Sequence, residues 1–370
     1  MPTDFTLKQP HAVALDLGPL QPLMADLTIS DILVNGTDSV YVERGGRLEL
    51  TDIRFDSEAE LMRVIERIVS YVGRRVDEHS PLVDARLPDG SRVNAAVPPV
   101  AVDGPILSIR RFGRHLTPED LLANATLTRE MLQVLKACVQ MRLNILVSGG
   151  TGSGKTTLLN ALSSFIPASE RILTIEDAAE LRLQQRHVVR LETKPVTSSS
   201  DEAIGIRELV VNALRMRPDR IVVGEVRAAE ALDMLQAMNT GHDGSLSTIH
   251  ANSPRDAFSR LEVMVGMANP NLGVKNIRQQ TTSALNLVVH VARFSDGSRK
   301  VTHITECLGM EGDVVMLQDV FTFEKAGLTA DGRVTGRFRG IGLRPKFYDK
   351  LKNCGLDLPL SIFSTVTPVG

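Results

Sequence analysis

The sequence predicts an α/β protein: a C-terminal domain built on a parallel sheet flanked by helices, preceded by a smaller α+β domain. Three observations carry this. From Thr128 onward, short apolar runs alternate with helical patterns, as in a parallel sheet covered on both faces. The segment Gly149–Thr157, GGTGSGKTT, directly follows one of those runs and directly precedes a helical pattern. Before residue 112 the pattern is different, with short β-prone runs around turn residues and a single helix. At 370 residues the chain has room for about two domains.

The N-terminal elements follow in order. Residues 1–19 are expected to be a tail and 20–112 the α+β domain. Ile29–Gly36 reads as an element ending at Asn35-Gly36. Val40–Glu43 and Arg47–Thr51 flank Gly45-Gly46, a hairpin signal. Ser57 with Glu60 gives a capping-box pattern, and Leu61, Val64, Ile65, Ile68, Val69 and Val72 follow at helical spacing until Gly73. Pro88-Asp89-Gly90 is a turn, and Ser91–Val97 and Ile106–Phe112 read as strands. Residues 113–127 are expected to be a linker in which Thr117-Pro118 opens a short helix.

In the C-terminal domain, residues 128–370, Met131–Cys138 reads as a helix and Asn144–Val147 as a buried strand. A helix is expected over Thr156–Phe165, a strand over Arg171–Ile175 and a helix over Ala203–Arg215. Ile221–Val223, Ala228–Asn239 and Leu246–Ile249 continue the alternation. Val289–Phe294, Val301–Cys307 and Val314–Phe323 read as a later antiparallel extension. The serine run Thr197–Asp201 reads as a loop.

Composition narrows the function classes. Apolar residues make up 43% and charged residues 23%, ordinary for a globular protein, and the formal net charge is −2. No overall basic field points to nucleic acid, and with no tryptophan and three tyrosines the stacking platforms for single strands are scarce. Direct nucleic-acid binding is therefore not expected. Cys138, Cys307 and Cys354 are far apart and suggest neither a zinc site nor disulfides. The start of the chain lacks a signal-peptide core and no run is long enough to span a bilayer, so a cytoplasmic location is expected.

Gly149 to Thr156 fits GxxxxGK[ST], the pattern of a phosphate-binding loop. Gly149, Gly150, Gly152 and Gly154, with Thr151 and Ser153, allow backbone N–H groups to turn inward onto phosphate oxygens, and the helix that follows adds its positive end. Lys155 is expected on the β- and γ-phosphates, Thr156 on Mg²⁺, and Thr157 in the same first helical turn. Ile221–Glu225 is a strand ending in an acid; Glu225 there can order Mg²⁺ and its water, although Gly224 stands where an Asp is common. Thr174–Asp177 is a second strand ending in acids, with Glu180 beyond it. Either Glu176 or Glu225 can polarise the attacking water, and Asp177 is a further metal-side carboxylate, or simply a helix-terminal acid like Glu180. His242 and His250 bracket the next strand, His242 as a γ-phosphate sensor in a loop and His250 at the strand end.

Taken together, these four segments resemble the secretion-ATPase superfamily of type II secretion, type IV pili and type IV secretion, whose Walker A, Asp box, Walker B and His box they match in order and spacing. ALRMRPDRIVVGEVR (Ala213–Arg227) and AMNTGHDGSLSTIHANSPRDA (Ala237–Ala257) match as whole phrases; SDILVNG (Ser30–Gly36) and VDARLPDGSRVNA (Val83–Ala95) are similar to the tight-adherence (Tad/Flp) pilus branch. The absence of a tetracysteine segment agrees with that branch, whereas the short N-terminal region departs from it. The resemblance implies a RecA-like ATPase fold, ATP and Mg²⁺ as ligands, and a homohexamer recruited peripherally to the inner membrane by platform proteins. It implies that Arg86 and Arg92 act as shared arginines, with Arg110 and Arg111 contacting nucleotide. It implies a motor for pilus assembly, with retraction open; conjugation or type IV secretion traffic, or a low-turnover nucleotide switch, are the alternatives. Basic residues in Arg333–Lys352 read as a solvated helix face or a membrane-proximal contact.

Overall fold

The computed structural model describes residues 15–111, 116–194 and 202–370, so most of the expected tail, part of the linker and the serine run lie outside the described residues. The chain divides into two compact units, Met1–Arg114 and His115–Gly370.

The first unit is a six-stranded antiparallel sheet. Its strands are β1 (Ile29–Asn35), β2 (Ser39–Arg44), β3 (Arg47–Leu50), β4 (Leu82–Arg86), β5 (Arg92–Ala96) and β6 (Ile106–Arg110), in the spatial order β3-β2-β1-β6-β5-β4. Helix α1 (Gln21–Ala25) is short; α2 (Glu58–Tyr71) supplies most of the cover. The buried positions of α2, Leu61, Val64, Ile65, Ile68 and Val69, recur at helical spacing and meet Ile32, Val34, Val93, Ala95, Leu107 and Ile109 in one core. Ser57 caps α2 by accepting from Glu60 N, while the Glu60 carboxylate accepts from Asp56 N, one residue earlier than a capping box would have it.

In the second unit, helices α3 (Pro118–Ala123), α4 (Arg129–Gln140), α5 (Lys155–Ser163), α6 (Ile206–Ala213), α7 (Glu230–Asn239), α8 (Pro254–Ala268), α9 (Val274–Ala284) and α10 (Tyr348–Asn353) surround a ten-stranded sheet. Its strands are β7 (Ile145–Gly149), β8 (Ile172–Glu176), β9 (Val188–Glu192), β10 (Arg220–Val226), β11 (Leu246–His250), β12 (Leu287–Arg293), β13 (Arg299–Glu311), β14 (Val314–Leu328), β15 (Val334–Gly340) and β16 (Val366–Val369). The order β12-β7-β11-β10-β8-β9 is parallel throughout, and β13 to β16 extend it antiparallel from β12. Alternate residues of β7 serve opposite faces: Ile145 and Val147 join the core with α4 and α5, Leu146 the core with α6 to α9.

The expected linker is partly structural. Thr117 and Asp120 form a capping box on α3, and Leu121 and Leu127 are buried in the core of the second unit. The basic stretch near the C-terminus is not one helix face either, because Arg337 and Arg339 lie on β15, paired with Glu324, and only Lys350 and Lys352 lie on α10.

Candidate functional site

The phosphate loop joins β7 to α5. Gly152 and Gly154 have φ of +69° and +95°, where a side chain is strained, and a Cβ on Gly149 would lie 2.3 Å from Val291 O. Helix α5 opens behind Gly154 with no side-chain cap, leaving the N–H groups of its first turn, which carries Lys155, Thr156 and Thr157, facing the loop. Ser153 Oγ donates to Gly150 O at 2.8 Å, and Lys155 Nζ donates to the same carbonyl at 3.0 Å. Thr151 is exposed at the tip. Such a cradle, ringed by donors and closed to side chains at Gly149, fits a phosphate chain.

Strand β10 carries Glu225 to this loop: its Oε1 lies 3.7 Å from Lys155 Nζ. Arg227 grips Glu225 Oε2 from the other side (2.5 and 2.6 Å) and pairs with Asp177 Oδ2 at 2.9 Å. The two acids expected near Mg²⁺ are thus joined through one guanidinium, whose protonated form burial opposes and both carboxylates favour.

Glu176, at the end of neighbouring β8, is 3% exposed. Its Oε2 accepts from Glu180 N (2.8 Å) and Leu181 N (2.9 Å), and Oε1 is buried without a partner. Burial outweighs those two N–H groups and pushes its carboxyl up to about 7. Gly224 is explained by the same side chain: a Cβ there would lie 2.8 Å from Glu176 Cγ. The Asp common at that position has no room.

The two histidines separate. His250 ends β11 with its Cα paired to Gly149, at the edge of the sheet that carries the loop. His242 precedes β11, at the opposite edge, where Asn144 Oδ1 accepts from Gly244 N and Ser245 N and Ser245 Oγ donates to His242 O. The strand between them spans about 13 Å, so within one chain His242 is not brought to the phosphate loop; the expectation for it is corrected by topology.

Sequence reasoning missed His290. On β12, it shares a 2.9 Å hydrogen bond with Ser148 Oγ of β7, and burial, then the neighbouring His303, pull it down to about 4, so it stays neutral beside Lys155. Only the β7–β12 register, between residues about 140 apart, reveals this.

In the first unit, Arg86, Arg92 and Arg110 are successive cross-strand partners on β4, β5 and β6, with Asp31 of β1 next in line. Directly opposed residues share a face, so three guanidinium groups form one row on the sheet face opposite the buried residues Val93, Ala95 and Ile109. Arg111 has a different task. Its guanidinium donates to the carbonyls of Leu23, Asp26 and Ile29, and its N–H to Ser30 O, which ties the sheet to the segment before β1 and leaves the expected nucleotide contact unsupported.

In comparison with known proteins, a family model described as type II/IV secretion system protein matches residues 13–334 of the chain. The chain belongs to the type II/IV secretion system protein family. Among relatives in or near this family, a Mycobacterium tuberculosis protein whose name places it in conjugal transfer is 38% identical over 305 residues, covering 80% of this chain and 86% of the relative. The type IV secretion system protein PtlH of Bordetella pertussis is 36% identical over 320 residues, covering 78% of this chain and 93% of PtlH. The fold is shared with the ADP-bound pilus retraction motor PilT, at TM-score 0.55 and 22% identity over 82% of this chain and 81% of PilT.

Proposed function

We propose that this family member hydrolyses ATP with Mg²⁺ and that a homohexamer of it works as a motor at a membrane-bound secretion or pilus machine. The observation that carries the reading is the convergence of Lys155 and Glu225, 3.7 Å apart, over a loop built to hold phosphates. Lys155 meets the β- and γ-phosphates. Glu225 polarises the attacking water: it faces the loop, half-buried and reachable, whereas the Glu176 carboxylate is buried and already accepts two backbone N–H groups. Glu176 is thus a buttress of the Asp-box segment. His250 lies beside the loop as the sensor of the terminal phosphate. Thr156 and Glu225, with Asp177 when Arg227 releases it, are the groups to hold Mg²⁺, which supplies charge neutralisation to the phosphate oxygens.

For the machine, the segments around Ser30–Gly36 and Val83–Ala95 support tight-adherence pilus assembly through an inner-membrane platform protein. The conjugal-transfer and type IV secretion relatives, at 38% and 36% identity, favour a second reading, secretion traffic. Deleting the gene discriminates the two, by loss of surface pili or loss of transfer. The chemistry is tested by two variants. Lys155→Ala is expected to lose both binding and turnover. Glu225→Gln is expected to keep ATP binding while turnover falls roughly a hundredfold. Wild-type turnover in either variant overturns the assignment.

A further inference from the structure

Two arginines outside every motif lie against the phosphate loop. Arg293 ends β12, Arg299 opens β13, and the two are direct cross-strand partners. The turn between them is closed by Phe294 N donating to Ser298 O at 2.8 Å and by Asp296 Oδ1 accepting from Ser298 N at 2.9 Å. Arg299 Nε donates to Gly152 O at 3.0 Å, and its Cδ sits 3.2 Å from where a Cβ on Gly154 would be. Arg293 Nη1 sits 3.4 Å from where a Cβ on Gly152 would be. The two arginine side chains thus lie beside the two left-handed glycines of the loop.

A planar guanidinium beside the loop offers donors and a stacking face to a ligand held there. Which part of the ligand follows from strand order. In β12-β7-β11-β10 the arginines lie on one flank of the loop strand β7 and Glu225 on the other. Lys155 reaches toward Glu225, so the terminal phosphate belongs on that flank. The other end of the nucleotide then leaves over β12. A planar guanidinium is suited to that end, since it stacks on a purine face and donates to ribose oxygens.

Resting on the ATP-site reading above, we propose that Arg293 binds the ribose–purine end of the nucleotide. Arg299 is a positioning residue that acts through Gly152, holding the loop open to phosphate and setting the hairpin beside it.

Calorimetric titration of the full chain with Mg-ATP and with Mg-tripolyphosphate, which has the phosphates and no nucleoside, tests this. Arg293→Gln should weaken ATP roughly tenfold and leave tripolyphosphate unchanged. Arg293→Lys, which keeps the charge and loses the plane, should weaken ATP in the same way, and it serves as the test if the glutamine variant fails to fold. Arg299→Gln should weaken both ligands, with partial recovery in Arg299→Lys, because an ammonium can still donate to the Gly152 carbonyl. Equal loss of both ligands in the Arg293 variants, or loss of neither, overturns the nucleoside contact while leaving the phosphate site standing. A wild-type chain that binds neither ligand overturns the ATP reading and this one with it, and Lys155→Ala, expected to lose both, marks that case.

Discussion

Glu176 and Glu225 end neighbouring parallel strands, yet their surroundings give them different chemistry. Glu225 lies between Lys155 and Arg227 at the surface of the site, whereas Glu176 is sealed behind Gly224. Burial raises Glu176 from an ordinary 4.5 to about 7. The sign follows directly: below about pH 4.5 the group is protonated in both folded and unfolded chains and costs nothing. As pH rises toward and through 7, the unfolded chain ionises readily and the folded one resists, so stability is lost. Glu176→Gln removes that loss. The variant should match the wild type near pH 4.5 and exceed it by on the order of 3 kcal/mol above pH 8. Urea unfolding at both pH values measures this; parallel stabilities would show that Glu176 ionises at its ordinary value. The sequence alone could name both acids, because each ends an apolar run, but it could not divide their roles, which depend on a contact between strands about 50 residues apart.

At the scale of elements, that contact couples β8 to β10. A methyl on Gly224 would meet Glu176 Cγ at 2.8 Å, and Cγ, close to the backbone, cannot swing away cheaply. Gly224→Ala is therefore expected to destabilise by about 1–3 kcal/mol. Combining it with Glu176→Ala should recover part of that loss, giving a double-mutant interaction of opposite sign. Additive losses in thermal or urea unfolding would remove the steric explanation. Elements with a strong local signal were legible: α2 through its apolar spacing, the β2–β3 hairpin through Gly45-Gly46, and β7–α5 through the phosphate loop. Helix α9 gives no such signal, since Ile277, Thr281 and Ala284 are its buried residues and its Lys, Arg, Gln and Asn content masks the stripe. Strand β4 was missed although its turn, Pro88-Asp89-Gly90, was read, because Leu82–Arg86 exposes alternate residues and packs little of its own. The place of β12 beside β7 is non-local, and with it His290, Arg293 and Arg299 stayed out of view.

For the whole molecule, the row Arg86, Arg92 and Arg110 is the feature that asks for something beyond one chain. Three guanidinium groups aligned across adjacent strands present a row of donors to an anion brought to that face. If the anion is a nucleotide bound on a neighbouring subunit, each site draws on two copies and activity must depend on assembly. Specific Mg-ATPase activity should then rise with protein concentration as the hexamer forms, measured together with mass in solution. Mixing gives a sharper test. Lys155→Ala lacks the phosphate lysine and Arg92→Gln lacks part of the row, so each alone should turn over slowly. In a mixed ring some sites pair an intact Lys155 with an intact Arg92 from the neighbour, and turnover should rise above that of either variant alone. If the arginine instead serves the site of its own chain, every site in the mixture carries one defect and no activity returns.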